Sequence, residues 1–285
     1  MQPPTLLEAS SIAELLTRSY EYAYEQGWTD GLPIIPATPE AVQQFVAASG
    51  RQAGDLVALL PPRKGRATVE VIAVNAIMAG CRPEYMPVLI AVIEAMCDPV
   101  FRIEDCGSTP GWEPVVIVNG TIVKELDFNY GQGVMRVGRQ ANTSIGRFVR
   151  LFLRNICGYR ISPGDGDKGS IGYSFNVALA ENEDWARDIG WPTFGMDLGF
   201  KHDENVVTVQ SVVCISPPTY SSGSAAAGHL QQFVDVIGRT FSYWAYSGLK
   251  RGCCAAAATG MVPSNVFVSR SITDIKKPGP VLFLT

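Results

Sequence analysis

The sequence predicts an α/β fold, a layered mixed sheet flanked by helices, and three observations carry that expectation. The run PVVIVNG at 114–120 is short, continuously apolar and closed by Asn-Gly, while NVVTVQSVVCI at 205–215 is rich in β-branched residues; both suit buried strands. TVEVIAVNAIMAG at 68–80 and EYMPVLIAVIEAMC at 84–97 carry apolar residues on more than one face, as buried helices do. Strand and helix patterns also alternate along the chain, which favours stacked layers of both kinds. A mostly antiparallel α+β fold is the alternative.

The elements follow in chain order. Ser11 to Gln26 is an amphipathic pattern that stops at Gly27, and the turn-rich GWTDGLPIIPATPE comes next. Thr38-Pro39-Glu40 opens a second helix through about residue 48, with Thr38 as its N-cap and Pro39 at its first position. ALLPPRKGRAT is a connection preceded by a short strand. The two apolar helices meet at a tight turn, Gly80-Cys81-Arg82-Pro83. After the 114–120 strand, the glycine loop NYGQGVMRVG leads into a helix over 143–156. A second loop, SPGDGDKGSIG, precedes a strand at 173–180. A helix from about His229 to Tyr246 and short strands at 265–268 and 281–284 complete the pattern. No repeat or linker divides the chain, so 1–285 reads as a single domain with residues 1–36 as an N-terminal helix and turn-rich arm.

A 285-residue chain buries about 75% of the surface that its unfolded form exposes, so a core needs no metal or disulfide staple. The net charge of −4 argues against non-specific nucleic-acid binding, which needs a strong basic field. Seven cysteines are an odd number, several lie within apolar helical patterns, and none forms a CxxC pair, so neither a disulfide framework nor a zinc site is expected. MQPPTLLEASS lacks the basic flank and apolar core of a secretory signal. MPVLIAVIEAMC, interrupted by Glu94, is too short to span a bilayer. No membrane is expected, and a cytoplasmic location follows.

The stretch GRQANTSIGRFVRLFLRNICGYR raises the functional question. Ile145, Phe148, Val149, Phe152, Leu153 and Ile156 gather on one side of a helix, with Arg147, Arg150 and Arg154 opposite. Asn142, Thr143 or Ser144 can cap its N-terminus, where amide N–H groups lack partners, and Gly131, Gly133 and Gly138 upstream let backbone approach a ligand. Such a terminus with arginines nearby is suited to a carboxylate or phosphate. The plain alternative is a helix showing its arginines to water. Asp165, Asp167 and Lys168 in GDGDKGSIG read as a surface turn rather than a cation loop, and no metal site is assigned. His202 and His229 lack a GxSxG elbow and read as surface residues. Cys106, in the turn EDCGSTPG, is a candidate thiol, although Glu104 and Asp105 would raise its pKa. Asp30, in Trp28-Thr29-Asp30-Gly31, is either an acid-base group at a pocket lip or the capping residue of an Asx-type turn.

GWTDGLPIIPATPE, TVEVIAVNAIMAGCRPEYMPVLIAVIEAM, PVVIVNG and ANTSIGRFVRLFLRN, in that order over roughly residues 20–215, resemble a family of bacterial proteins with a GWTDGLP-type opening. Those proteins often accompany, or are fused to, the UGSC-type domain, named for its selenocysteine- or cysteine-Gly-Ser-Cys motif. The resemblance implies a bacterial protein that works beside a thiol or selenol partner, and it implies that Asp30, Asn75, Asn142 and Arg147 line a shared site. The UGSC motif itself is absent; the nearest string is Cys106-Gly107-Ser108-Thr109, and the chain beyond about residue 215 departs from the family.

The expected function is therefore an enzyme, or an enzyme subunit, acting on a small anionic metabolite. Asn142, Ser144, Gly131 and Gly133 would bind the anion with Arg147 and Arg150 as counter-ions, and Asp30 and Cys106 would be the catalytic candidates. A lyase-type or reductive cleavage shared with the partner, within an oligomer, is the reaction class implied. A non-catalytic subunit and a hydrolase using His229 are the alternatives. The sequence assigns no cofactor.

Overall fold

A computed structural model describes residues 7–107, 111–161, 174–212, 225–240, 266–272 and 281–284. Helix α1 (Ile12–Glu25) is capped by Ser11, whose side chain accepts from the Glu14 amide, and α2 (Pro39–Ser49) is capped in the same way by Thr38. A hairpin of β1 (Leu56–Leu60) and β2 (Gly65–Thr68) precedes α3 (Val69–Ala79) and α4 (Met86–Met96). Strand β3 (Glu113–Asn119), the short α5 (Ile122–Glu125) and α6 (Gln140–Phe152) follow. Then come β4 (Leu179–Ala180), α7 (Glu183–Asp188), α8 (Phe194–Asp197), β5 (Val206–Val212), α9 (Ala226–Thr240), β6 (Val266–Ser271) and β7 (Val281–Leu284).

The main sheet runs β4-β3-β5-β6-β7, parallel only at β3–β4, so it is mixed and helices flank it as the sequence predicts. In the β3–β5 register Val116 faces Val209 and Val118 faces Val207, and all four are buried in the core. Strand alternation fixes this: one face of β3 carries Val116 and Val118, and the other carries Glu113, Val115 and Asn119. Helix α4 packs on β5 and β6, and α3 lies between α2 and α6. Both α3 and α4 are enclosed almost completely, which explains why neither shows an apolar stripe with a polar back.

The structure adjusts several expected elements. The strand expected over 173–180 is only the pair Leu179–Ala180, because the preceding segment lies along α6 rather than in the sheet; the Ala178 amide donates to the Asn142 carbonyl at 2.8 Å. RKGRAT is not merely a connection, since Gly65–Thr68 pairs antiparallel with β1. Helix α6 begins at Gln140 with Arg139 as N-cap, so Asn142, Thr143 and Ser144 lie inside its first turns and do not cap it as expected. It is α-helical only to Phe152, and a π-helical turn, Leu153–Cys157, completes it before Gly158. Among the described residues no helix is long and apolar enough to cross a membrane.

Candidate functional site

The arginine face of α6 is neither bare nor uniformly open: the GWTDGLP arm lies across it. The arm starts where α1 ends. Gly27, at φ +68°, lets the Gly27 amide donate to the Tyr24 carbonyl and the Trp28 amide to the Ala23 carbonyl, which closes the helix in a Schellman turn. Thr29 then donates its hydroxyl to the Leu32 carbonyl, and Tyr22 meets Trp28 edge-on with ring centroids 5.6 Å apart.

Side chains from α6 and its π turn hold this segment. Arg147 donates from Nε to Asp30 Oδ2 at 3.1 Å and from Nη2 to Asp30 Oδ1 at 2.9 Å. The same Nη2 reaches the Pro33 carbonyl at 2.8 Å. Arg154 Nε donates to the Gly27 carbonyl at 2.5 Å, and Asn155 Nδ2 to the Trp28 carbonyl at 3.1 Å. The Asp30 side chain is 5% exposed and that of Arg147 17%. Burial pushes the Asp30 carboxyl up, but the hydrogen bonds and charge of Arg147, with Arg150 adding to them, outweigh it and hold the group below the usual carboxylate value.

A cleft of about 70 Å³ opens beside this pair, lined by Asp30, Glu113, Arg150, Leu153, Arg154, Tyr159, Ile161 and Ser174. Glu113, at the start of β3, is buried and accepts from Ser174 Oγ and the Phe175 amide, each at 3.2 Å. Arg150 donates to Asn176 Oδ1, and Tyr159 places its hydroxyl 2.9 Å from the Ile103 and Glu104 carbonyls. Among the described residues, neither Arg150 nor Arg154 forms an ion pair with a carboxylate. A larger cleft of about 230 Å³ is different in kind: Lys124, Asp184, Arg187 and Asp203 in its wall already pair with one another.

The expected site residues divide between three places. Asp30 and Arg150 line the arginine cleft, with Arg147 behind Asp30. Asn75, on α3 and 3% exposed, sits one layer deeper, where its Oδ1 accepts from Asn155 Nδ2 at 2.9 Å. Ser144 bonds back to the Gln140 carbonyl at 2.7 Å and lies beside Cys81. Burial pushes the Cys81 thiol up to about 12, against smaller opposing effects of Ser144 and Arg147.

The glycine loop lies at the other end of α6. Gln140 and Arg150 are separated by about 15 Å of helix rise, so the loop and the cleft cannot grip one small anion together. Loop amides are also engaged locally: Gly131 donates to Asn129 Oδ1 at 3.1 Å and Gly138 to Thr143 Oγ1 at 3.2 Å, while Gly133 is exposed. Asn142, fully buried, accepts from the Asn129 amide at 2.8 Å and donates to the Asn129 and Ala178 carbonyls at 3.0 and 2.9 Å. Its part is to fasten the loop.

Cys106 is fully buried and its thiol donates to the Trp112 carbonyl at 2.9 Å; it lies near Tyr159 but does not line the cleft. His202 pairs with Asp203 at 2.6 Å on the surface, and the serines that would serve His229 lie outside the described residues, as do Asp165, Asp167, Lys168, Cys214, Cys253 and Cys254. Among the described residues no cluster of His, Cys, Asp or Glu could hold a metal ion. Sequence reasoning missed Glu113, Tyr159 and Asn155. The first precedes a strand as any flanking glutamate does, and the other two carry no spacing signal. Compared with known proteins, the chain matches no family model, no curated protein and no solved structure.

Proposed function

We propose that this chain is an enzyme, or a subunit of one, that binds a small anionic metabolite in the arginine cleft. The observation that carries the reading is that Arg150 and Arg154 face a half-buried cleft with only neutral hydrogen-bond partners among the described residues, so two guanidinium charges await an anion. Glu113 is the carboxylate beside them that can receive or return a proton. Asp30, ionised and bound on both oxygens by Arg147, positions the arm instead. The resemblance to proteins that accompany the UGSC-type domain adds a thiol or selenol partner and a lyase-type or reductive cleavage, and the cysteine pattern adds a cytoplasmic setting. The arginines fix the substrate's orientation, and the bond-breaking group comes with that partner.

A non-catalytic role in a larger enzyme is favoured by one observation. Trp185, Ile189 and Trp191 lie close in sequence and are 69%, 55% and 71% exposed, an apolar surface suited to another chain. Helices α3 and α4, which that role would have used as an interface, are covered by the chain itself.

The test is a thermal-shift panel of small carboxylates and phosphates on the wild type and on Arg150→Gln. A true ligand at a hundred times its Kd stabilises by about 2.7 kcal/mol, and the variant should lose that shift. A panel in which nothing stabilises the wild type overturns the catalytic reading in favour of the subunit role.

A further inference from the structure

Resting on that reading and sharpening it, we propose that the anionic group taken by the cleft is a phosphate monoester, held by Arg150, Arg154 and Arg160. The charge of Arg147 is matched by Asp30. Among the described residues Arg150 and Arg154 donate only to an amide oxygen and a carbonyl, neither of which cancels a charge.

Arg160 stands beside them: a Cβ built on Gly27 would lie 3.3 Å from Arg160 Nη1 and 3.7 Å from Arg154 Nη2, so the two guanidinium groups close on one point of the arm. Its Nε is buried and has no hydrogen-bond partner among the described residues. Arg150 and Arg154 line the cleft and Arg160 adjoins it through Arg154; against these three cations the described lining offers one carboxylate beyond Asp30, that of Glu113. Among the described residues two positive charges are left unmatched.

Size and shape then choose among dianions. A pocket that encloses a drug-sized ligand has roughly 300 Å³ or more, whereas about 70 Å³ admits a single head group. A monocarboxylate would cancel only one charge, and a dicarboxylate spreads its two charges over separate carbons. A phosphate monoester carries close to two charges on one tetrahedral group at neutral pH, and its oxygens match the forked donors of arginine. Crowding of like charge supports the same conclusion: burial first, and the Arg160 charge second, depress the Arg154 guanidinium below its ordinary value, a cost that a dianion relieves.

Calorimetric titration with inorganic phosphate and with acetate, at pH 8 and constant ionic strength, tests this on the wild type, Arg160→Gln and Arg160→Lys. Phosphate should bind at least about tenfold more tightly than acetate, and Arg160→Gln should weaken phosphate by about tenfold, the equivalent of one charge-assisted hydrogen bond. Arg160→Lys, which keeps the charge and loses the fork, should fall between. Equal affinities for the two anions, both lost in Arg150→Gln, would leave the anion cleft standing and overturn the phosphate assignment. Phosphate binding indifferent to Arg160 would overturn it as well. No binding of either anion would remove the underlying reading together with this one.

Discussion

Arg147 meets Asp30 edge-on across 117 positions of the chain, with both guanidinium–carboxylate hydrogen bonds at or below 3.1 Å, and so fastens the first turn-rich segment to the sixth helix. The Asp30 carboxylate is almost wholly shielded from solvent and the Arg147 guanidinium largely so, and the pair behaves as a mostly buried one. Removing one partner leaves the other charge desolvated. Arg147→Ala should destabilise the fold by about 3 kcal/mol, and a double-mutant cycle with Asp30→Asn should show a coupling above about 1 kcal/mol, read from urea unfolding. Additive single effects would mean that the pair contributes nothing of its own.

The same pair sets an acid limit. Asp30 has a depressed carboxyl in the folded state, so between its folded and unfolded values the unfolded chain binds more protons. The stability this provides is complete above the unfolded value near 4 and is lost as pH falls through the lower folded value. Unfolding free energies from pH 7 to 2 should fall more steeply below pH 4 in the wild type than in Asp30→Asn. Parallel curves would contradict the shift.

Gly146 decides how closely the segment before β4 can lie on α6. A Cβ there would stand 2.4 Å from the Val177 amide nitrogen and 2.6 Å from the Asn176 carbonyl carbon, both backbone atoms that cannot swing aside. Gly146→Ala should cost about 2 kcal/mol by overpacking and should move Asn176 away from Arg150. A weakened response to phosphate, alongside a lower melting temperature, is the expected signature.

Asn142→Ala removes an amide that partners the Asn129 amide, the part-buried Asn129 carbonyl and the buried Ala178 carbonyl. Leaving such groups unpaired should cost roughly 2–4 kcal/mol, measurable by chemical denaturation. Because this residue fastens the glycine loop, ligand binding in the arginine cleft should change far less than stability does.

Peptide-resolved labelling with a maleimide should leave Cys81, Cys106 and Cys157 unmodified in the native protein, since all three are buried. Cys97, part-exposed although burial raises its pKa, should label first among the described thiols. Rapid native labelling at Cys106 would contradict its packing against Trp112.

Much of the architecture was legible because burial writes itself into apolar runs. The strands at Glu113–Asn119 and Val206–Val212 and the enclosed helices Val69–Ala79 and Met86–Met96 lie within a few residues of the stretches that predict them. Periodicity also placed Arg147, Arg150 and Arg154 on one face of α6. It could not say what covers that face, because the covering segment is irregular and held by side chains rather than by a ladder. For the same reason the segment before Leu179 read as strand. Its apolar residues pack on a helix, and sequence spacing does not distinguish that neighbour from a sheet. Glu113 and Tyr159 come together only through folding.

That long separation has a consequence for synthesis. The arm leaves the ribosome well ahead of the helix that holds it, and at about 5–20 residues per second the intervening 117 positions take roughly 6–23 seconds. Over that interval Asp30 lacks the Arg147 guanidinium that holds it in the finished fold. The cleft is thus a late product of chain elongation: its first wall is translated near the start, and its arginines arrive about halfway along. A chain halted before Arg147 lacks every arginine of that cleft.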